Sequence, residues 1–184
     1  MNERYIRQTM IPEIGEAGQE KLKNAKVLIV GIGGLGSPIS IYLTAAGVGQ
    51  IGLIDDDIVS KSNLQRQILY TETEIGQSKV ECACRRLSAL NSSTRFETYP
   101  NRFTSDNADR LVSAYDIIID GCDNAATRYL IDDVCSRFKK PYVYGSISEF
   151  RGQFSVFNYR GGPRYSDLYP RPEVIPPAPP RGVI

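Results

Sequence analysis

The chain alternates short apolar runs with longer amphipathic stretches. Lys26-Val-Leu-Ile-Val-Gly31 is an unbroken apolar run, the mark of a strand covered on both faces. Glycines at 31, 33, 34 and 36 follow, then a helical stretch from Leu35 to Ala46 that Gly47 and Gly49 end. Ile51-Gly-Leu-Ile-Asp55 is a second strand, so residues 26–55 read as a βαβ unit with a right-handed crossover. The pattern then repeats more loosely. A polar loop over 56–76 leads to a helix from Gln77 to Leu90, a strand from Arg95 to Tyr99 and a short helix from Asn107 to Ser113. Asp116-Ile-Ile-Ile-Asp120 is another buried strand, followed by a helix from Asn124 to Phe138 and strands at Tyr142–Gly145 and Gln153–Phe157. Ahead of all this lies a polar helical pattern, Gly15 to Lys23. Such alternation predicts an α/β architecture: a Rossmann-like, doubly wound, mainly parallel sheet with helices on both faces.

After Gly161 the pattern stops. Seven of the 11 prolines fall in the last 22 residues, which rules out a central strand or a continued helix there. One domain is therefore expected over residues 1–162, with 163–184 an extended crossing segment or tail; there is no internal repeat. The length of 184 residues suits a single domain, and 41% apolar residues argue against wholesale disorder. A formal charge of +1 advertises neither nucleic acid nor an anionic membrane, and no run approaches a membrane span. The charged N-terminus lacks a signal core. The four cysteines, at 82, 84, 122 and 135, have no zinc-type pairing and read as buried thiols of a cytoplasmic protein. Histidine is absent altogether, which excludes Ser-His-Asp and Cys-His catalysis and every His-ligated metal site.

The chemistry-bearing residues cluster around the first βαβ unit. Gly31-Ile-Gly33-Gly34-Leu-Gly36 satisfies G-x-G-x-x-G between a strand and a helix, with Asp55 nineteen residues beyond Gly36. That context places an anion on the helix N-terminus and Asp55 against a ribose. A nicotinamide-dependent dehydrogenase is one reading, though no histidine is available for proton transfer. The loop Ser62-Asn63-Leu64-Gln65-Arg66-Gln67 and Lys79 offer another: an amide and two cations positioned to meet a triphosphate, or else ordinary surface groups. Asp120-Gly-Cys-Asp123-Asn124 ends a buried strand, where open α/β sheets bind ligands. Asp123 there either holds Mg²⁺ against phosphate oxygens or caps the following helix.

Together with Arg4-Tyr5-Ile-Arg7-Gln8, Asp55-Asp-Asp57 and Gly76-Gln-Ser-Lys79, these motifs stand in the order and spacing of the ThiF/MoeB/HesA proteins, relatives of the ubiquitin-activating enzymes. The resemblance runs from Arg4 to about Pro170. It implies ATP-dependent adenylation of the C-terminal glycine of a ubiquitin-like sulfur carrier protein, in thiamine or molybdopterin biosynthesis. By the same resemblance Gly31, Gly33, Gly34, Gly36 and Asn124 line the nucleotide, Asp55 holds its ribose, Asn63, Arg66 and Lys79 contact its phosphates, and Asp123 binds Mg²⁺. Arg7 reaches across a homodimer to the partner's ATP. Neither nucleic acid nor membrane enters this picture, and a silent Rossmann module that binds partners remains the alternative from another class. Many members hold a structural zinc with two C-x-x-C pairs. Here the first pair's place reads Arg164-Tyr-Ser-Asp167, so no zinc is expected, which leans toward the thiamine branch. The sequence ends before the family's later segment and is expected to be a fragment. None of its cysteines aligns with the covalent carrier-capturing cysteine of some members.

Overall fold

The computed structural model describes residues 3–174. A single 3-10 turn at Glu3–Tyr5 leads into α1 (Ile6–Thr9) and α2 (Gly15–Asn24), ahead of β1 (Lys26–Val30), α3 (Gly36–Ala46) and β2 (Gln50–Ile54). The polar loop that follows contains 3-10 turns at Lys61–Asn63 and Glu72–Glu74. Then come α4 (Lys79–Leu90), β3 (Arg95–Tyr99), α5 (Ser105–Ala114), β4 (Ile117–Asp120), α6 (Ala125–Phe138), β5 (Tyr142–Ser148), β6 (Arg151–Phe157) and α7 (Tyr165–Leu168). The six strands form one sheet in the order β3-β2-β1-β4-β5-β6, parallel except for the β5–β6 hairpin at one edge. This is the expected doubly wound arrangement, with the order reversing between β1 and β4.

Side-chain alternation divides the central strands between two cores. Leu28, Val30, Ile54, Ile118, Tyr142 and Tyr144 face one way, with residues of α5, α6 and α7. Val27, Ile29, Ile51, Leu53 and Ile119 face the other, with residues of α4 and partly buried positions of α3. Both faces of β1 are covered, which is why its sequence is an unbroken apolar run.

Several expectations shift: β5 runs on to Ser148 and β6 begins at Arg151, so the edge hairpin is longer than expected. The α5 helix runs Ser105–Ala114 rather than Asn107–Ser113, because Asn107 is not its first residue: its Oδ1 accepts the Thr104 N–H at 3.0 Å in a capping box. Within the proline-rich segment Pro163 and Pro170 leave room for the one-turn α7, with Tyr165 buried; residues 175–184 lie outside the described residues. Cys82, Cys122 and Cys135 are buried free thiols as expected, but Cys84 is partly exposed.

At the reversal point the turn after β1 meets the turn after β4. Gly31 has φ +90°, and a Cβ there would stand 2.8 Å from the Gly121 carbonyl carbon; one on Gly121 would run into the Gly31 carbonyl oxygen. Only hydrogen fits on either side. Gly31→Ala is therefore expected to cost at least ~2 kcal/mol, adding backbone displacement to left-handed strain, and to lower the urea midpoint accordingly. Gly76, with φ +89° but open space around it, isolates the strain alone. Gly76→Ala is expected to cost about 1 kcal/mol in the same titration.

Candidate functional site at the sheet's C-terminal edge

The turn after β1 is held by its neighbours on both sides. The Ile32 N–H donates to Asp55 Oδ2 at 2.7 Å, and the buried Tyr70 hydroxyl donates to the Ile32 carbonyl at 2.7 Å. Gly36 opens α3 so close to Gly31 that a Cβ on it would strike the Gly31 oxygen. Gly33 and Gly34 sit between them, and neither N–H makes a hydrogen bond among the described residues. Two adjacent free donors ahead of an eleven-residue helix suit a phosphate.

Asp55 lies just past the end of β2, half-buried, with Oδ1 accepting the Asp57 N–H at 2.9 Å. Burial pushes its carboxyl above the ordinary range, against the pull of the Ile32 N–H and the Lys79 charge. Lys79 opens α4, is buried, and is ion-paired through Nζ to Asp57 Oδ2 at 2.7 Å. Its own N–H donates to the Asp57 carbonyl at 3.1 Å, so Asp57 grips it at both ends.

Across the turn, the loop after β2 folds back over the glycines. The Asn63 carbonyl accepts from Arg66 N–H at 3.1 Å and Gln67 N–H at 2.9 Å, setting a helical turn. That turn lays the Arg66 stem over Gly34, where a Cβ would stand 3.4 Å from Arg66 Cδ. The guanidinium Nη1 donates to the Ser62 carbonyl at 3.1 Å, and Nε stands 3.6 Å from where a Cβ on Gly34 would lie. The buried Gln67 reaches Gly33 with its amide nitrogen, while its Oε1 has no partner among the described residues.

On the other side of the reversal point, Asp123 follows β4, exposed and without a hydrogen bond or ion pair among the described residues. The helix-cap reading of Asp123 does not hold. The cap is its neighbour Asn124, whose Oδ1 accepts the Thr127 N–H at 2.9 Å. An unengaged carboxylate on the turn that abuts the glycine turn through Gly121 is of a type that suits Mg²⁺ with a polyphosphate. The fit to ATP and Mg²⁺ is thus good. Asn124 keeps only its amide N–H groups for a ligand.

Arg7 is not brought to this edge. It is exposed on α1, which sits at the opposite edge of the sheet: Gln8 donates to the Ala46 carbonyl at 3.1 Å, and Arg4 to the Leu90 carbonyl at 3.1 Å, at the C-terminal ends of α3 and α4.

Tyr70 and Arg128 join the site without having been singled out by sequence, and Asp57 and Gln67, which lie inside the quoted motifs, join it without an assigned role. Arg128 and its partner Asp120 form a buried ion pair, Nε to Oδ2 at 3.2 Å, beneath the Asp123 turn. Burial pushes the Asp120 carboxyl up, opposed by Arg128, the Cys122 N–H and the Tyr142 hydroxyl. Nothing in the sequence pointed to Tyr70 or Arg128.

A family model described as the ThiF family matches residues 5–183. A probable molybdopterin-synthase adenylyltransferase of Porphyra purpurea is 48% identical over 166 residues, covering 90% of this chain and 44% of that protein. A sulfur carrier protein adenylyltransferase of Thermus thermophilus is 46% identical over 175 residues, covering 92% of this chain and 65% of its own length. Among solved structures, Escherichia coli MccB with ATP superposes with a TM-score of 0.79 at 29% identity, over 90% of this chain and 52% of the MccB chain. The chain therefore spans less than two thirds of each of these relatives.

Proposed function

The chain belongs to the ThiF family, and we propose that it uses ATP to adenylate the C-terminal carboxylate of a ubiquitin-like sulfur carrier protein. The observation that carries this reading is the convergence of Gly33 and Gly34, Asp55, Arg66, Lys79 and Asp123 on one edge of the sheet, in a chain similar to adenylyltransferases of sulfur carriers. The carrier's carboxylate is itself the nucleophile, so the absence of histidine is no obstacle. What the protein must do is align that carboxylate with the α-phosphorus and offset charge on the departing pyrophosphate. Asp55 would accept the ribose hydroxyls; the N–H groups of Gly33 and Gly34, with Asn63, Arg66 and Lys79, would hold the phosphates. Asp123 would hold Mg²⁺, which supplies further charge neutralisation when bound. The names of the relatives favour a molybdopterin-type carrier over a thiamine-type one. Four free cysteines and the lack of a described helix long and apolar enough to cross a membrane fit a cytoplasmic setting. In carrier-dependent ATP–pyrophosphate exchange, Asp123→Ala and Arg66→Ala are each expected to reduce the rate at least tenfold, about 1.4 kcal/mol of barrier. Near-normal exchange from Asp123→Ala would remove the metal assignment.

The zinc-free reading rests on Arg164. Its guanidinium pairs with Asp132 at 3.0 Å and Asp133 at 2.9 Å, and its N–H with Asp167 at 2.7 Å, so this stretch is already held by charge. With no thiolate there and no histidine anywhere, elemental analysis of untagged protein is expected to find less than stoichiometric zinc. One zinc per chain overturns it.

A symmetric pair of chains completes the reading, with Arg7 of each serving the other's nucleotide. Arg7 stands exposed at the far edge from its own Asp55, and the β5–β6 hairpin carries Phe150 and Phe154 at 90% and 92% exposure beside exposed Ile147 and Val156. Apolar surface of that kind invites a partner. Arg7→Ala and Asp123→Ala subunits, each inactive alone, are expected to recover roughly a quarter of wild-type exchange once mixed. Half of randomly paired dimers are mixed, and one site of each is intact. No recovery after demonstrated subunit exchange excludes action across the interface.

A further inference from the structure

Asp120 ends β4 with its side chain wholly buried, where its carboxylate makes three short bonds. Oδ1 accepts the Cys122 N–H at 2.9 Å; Oδ2 accepts Arg128 Nε at 3.2 Å and the Tyr142 hydroxyl at 3.0 Å. From the first turn of α6, Arg128 also donates through Nη2 to the Cys122 carbonyl at 2.9 Å and the Gly145 carbonyl at 3.4 Å, with its guanidinium 5.4 Å from the Tyr144 ring centre. A buried ion pair is a poor device for stability alone, because well-packed apolar side chains of the same volume serve as well or better. Something else is required of this one.

Its geometry shows what that is. Both backbone groups of Cys122 are taken, the N–H by Asp120 and the carbonyl by Arg128. On the other side, Asn124 is fixed as the cap of α6. The residues flanking Asp123 are thus clamped, while its own carboxylate is exposed and bonded to nothing among the described residues. A ligand held by its neighbours rather than by its own bonds needs no rearrangement to bind.

We propose that Arg128, through Asp120 and the Cys122 carbonyl, is a positioning residue that aims the Asp123 carboxylate at Mg²⁺; this rests on the reading of Asp123 given above. Lysine keeps the charge but cannot fork between Asp120, Cys122 and Gly145. Arg128→Lys is therefore expected to raise the free Mg²⁺ concentration for half-maximal exchange by about tenfold. Turnover at saturating Mg²⁺ is expected to stay within about twofold of wild type, since the reacting groups are intact. Mn²⁺ titration in the presence of ATP, followed by electron paramagnetic resonance, is expected to show the same weakening without any turnover. Asp120→Asn keeps an acceptor for the Cys122 N–H while losing the charge that draws Arg128, and is expected to shift both readings in the same direction by a smaller factor. A folded Arg128→Lys protein with wild-type Mn²⁺ affinity, or one whose rate falls equally at every Mg²⁺ concentration, overturns the proposal. Failure of both variants to fold overturns it too, by making the pair a requirement of the fold. Asp123→Asn separates the two levels. If it abolishes Mn²⁺ binding while Arg128→Lys does not weaken it, only the positioning role falls; if it leaves Mn²⁺ binding intact, the metal assignment itself falls.

Discussion

The contact between the Gly31 and Gly121 backbones is the constraint on which the rest of the site depends. Strands β1 and β4 are neighbours at the point where the sheet order reverses, and their following turns diverge to helices on opposite faces. With any side chain at either glycine the turns would have to separate. Kept together, they put the Gly33–Gly34 turn and the Asp123 turn on one floor. Each turn is then clamped in the same manner. Ile32 has its N–H held by Asp55 and its carbonyl by Tyr70; Cys122 has its N–H held by Asp120 and its carbonyl by Arg128. One carboxylate and one donor fix each turn at its middle residue.

The cations of the site follow a related logic. A buried lysine with no partner would be costly, and Lys79 avoids this through Asp57, which binds it by side chain and by backbone. Arg66 is laid against Gly34 and tied to the Ser62 carbonyl. Neither cation is free to wander, so the polyphosphate of the proposed reaction would meet charge already in place, with little binding energy spent on ordering side chains. Such pre-alignment matters most in a reaction whose nucleophile arrives already ionised, because the protein then has no proton to move.

How far the sequence discloses this depends on the range over which each feature is encoded. The strands of the first βαβ unit, the glycine turn and Asp55 are local patterns, and the structure places them within a residue or so of expectation. Helix ends were less legible, because a cap is a single hydrogen bond: Asn124 rather than Asp123 accepts the Thr127 N–H, and Thr104 starts α5 two residues early. Tyr70 and Arg128 were invisible for a different reason. Tyr70 acts on the Ile32 carbonyl, brought near only by the fold from 38 positions away. Arg128 folds back across the turn into α6 onto Cys122, six positions away, as well as onto Gly145 from 17. Nothing in residue type or spacing marks a tyrosine or an arginine for such a task. Arg7 was legible only as part of a motif, and its position at the opposite edge makes sense of why no spacing rule linked it to Asp55.

The segment after β6 shows the same economy by other means. It must leave an edge strand and return across α6 with little regular structure of its own, so its hold on the domain comes from side chains. The buried Asp132 carboxylate accepts the Tyr165 N–H at 2.9 Å and the Ser166 N–H at 3.3 Å, which starts α7, and pairs with Arg164. Arg171 extends the network to Asp133 at 2.6 Å. Tyr165 meanwhile inserts among Tyr129, Tyr142, Tyr144 and Phe157, with ring centres 5.2–6.0 Å away. Charge fixes where the segment turns, and aromatic burial adds adhesion. The two are not interchangeable: paired charges set a register that apolar contact alone would leave free to slide. Because Tyr144 packs on both Tyr165 and Arg128, the staple also braces the wall behind the Asp123 turn.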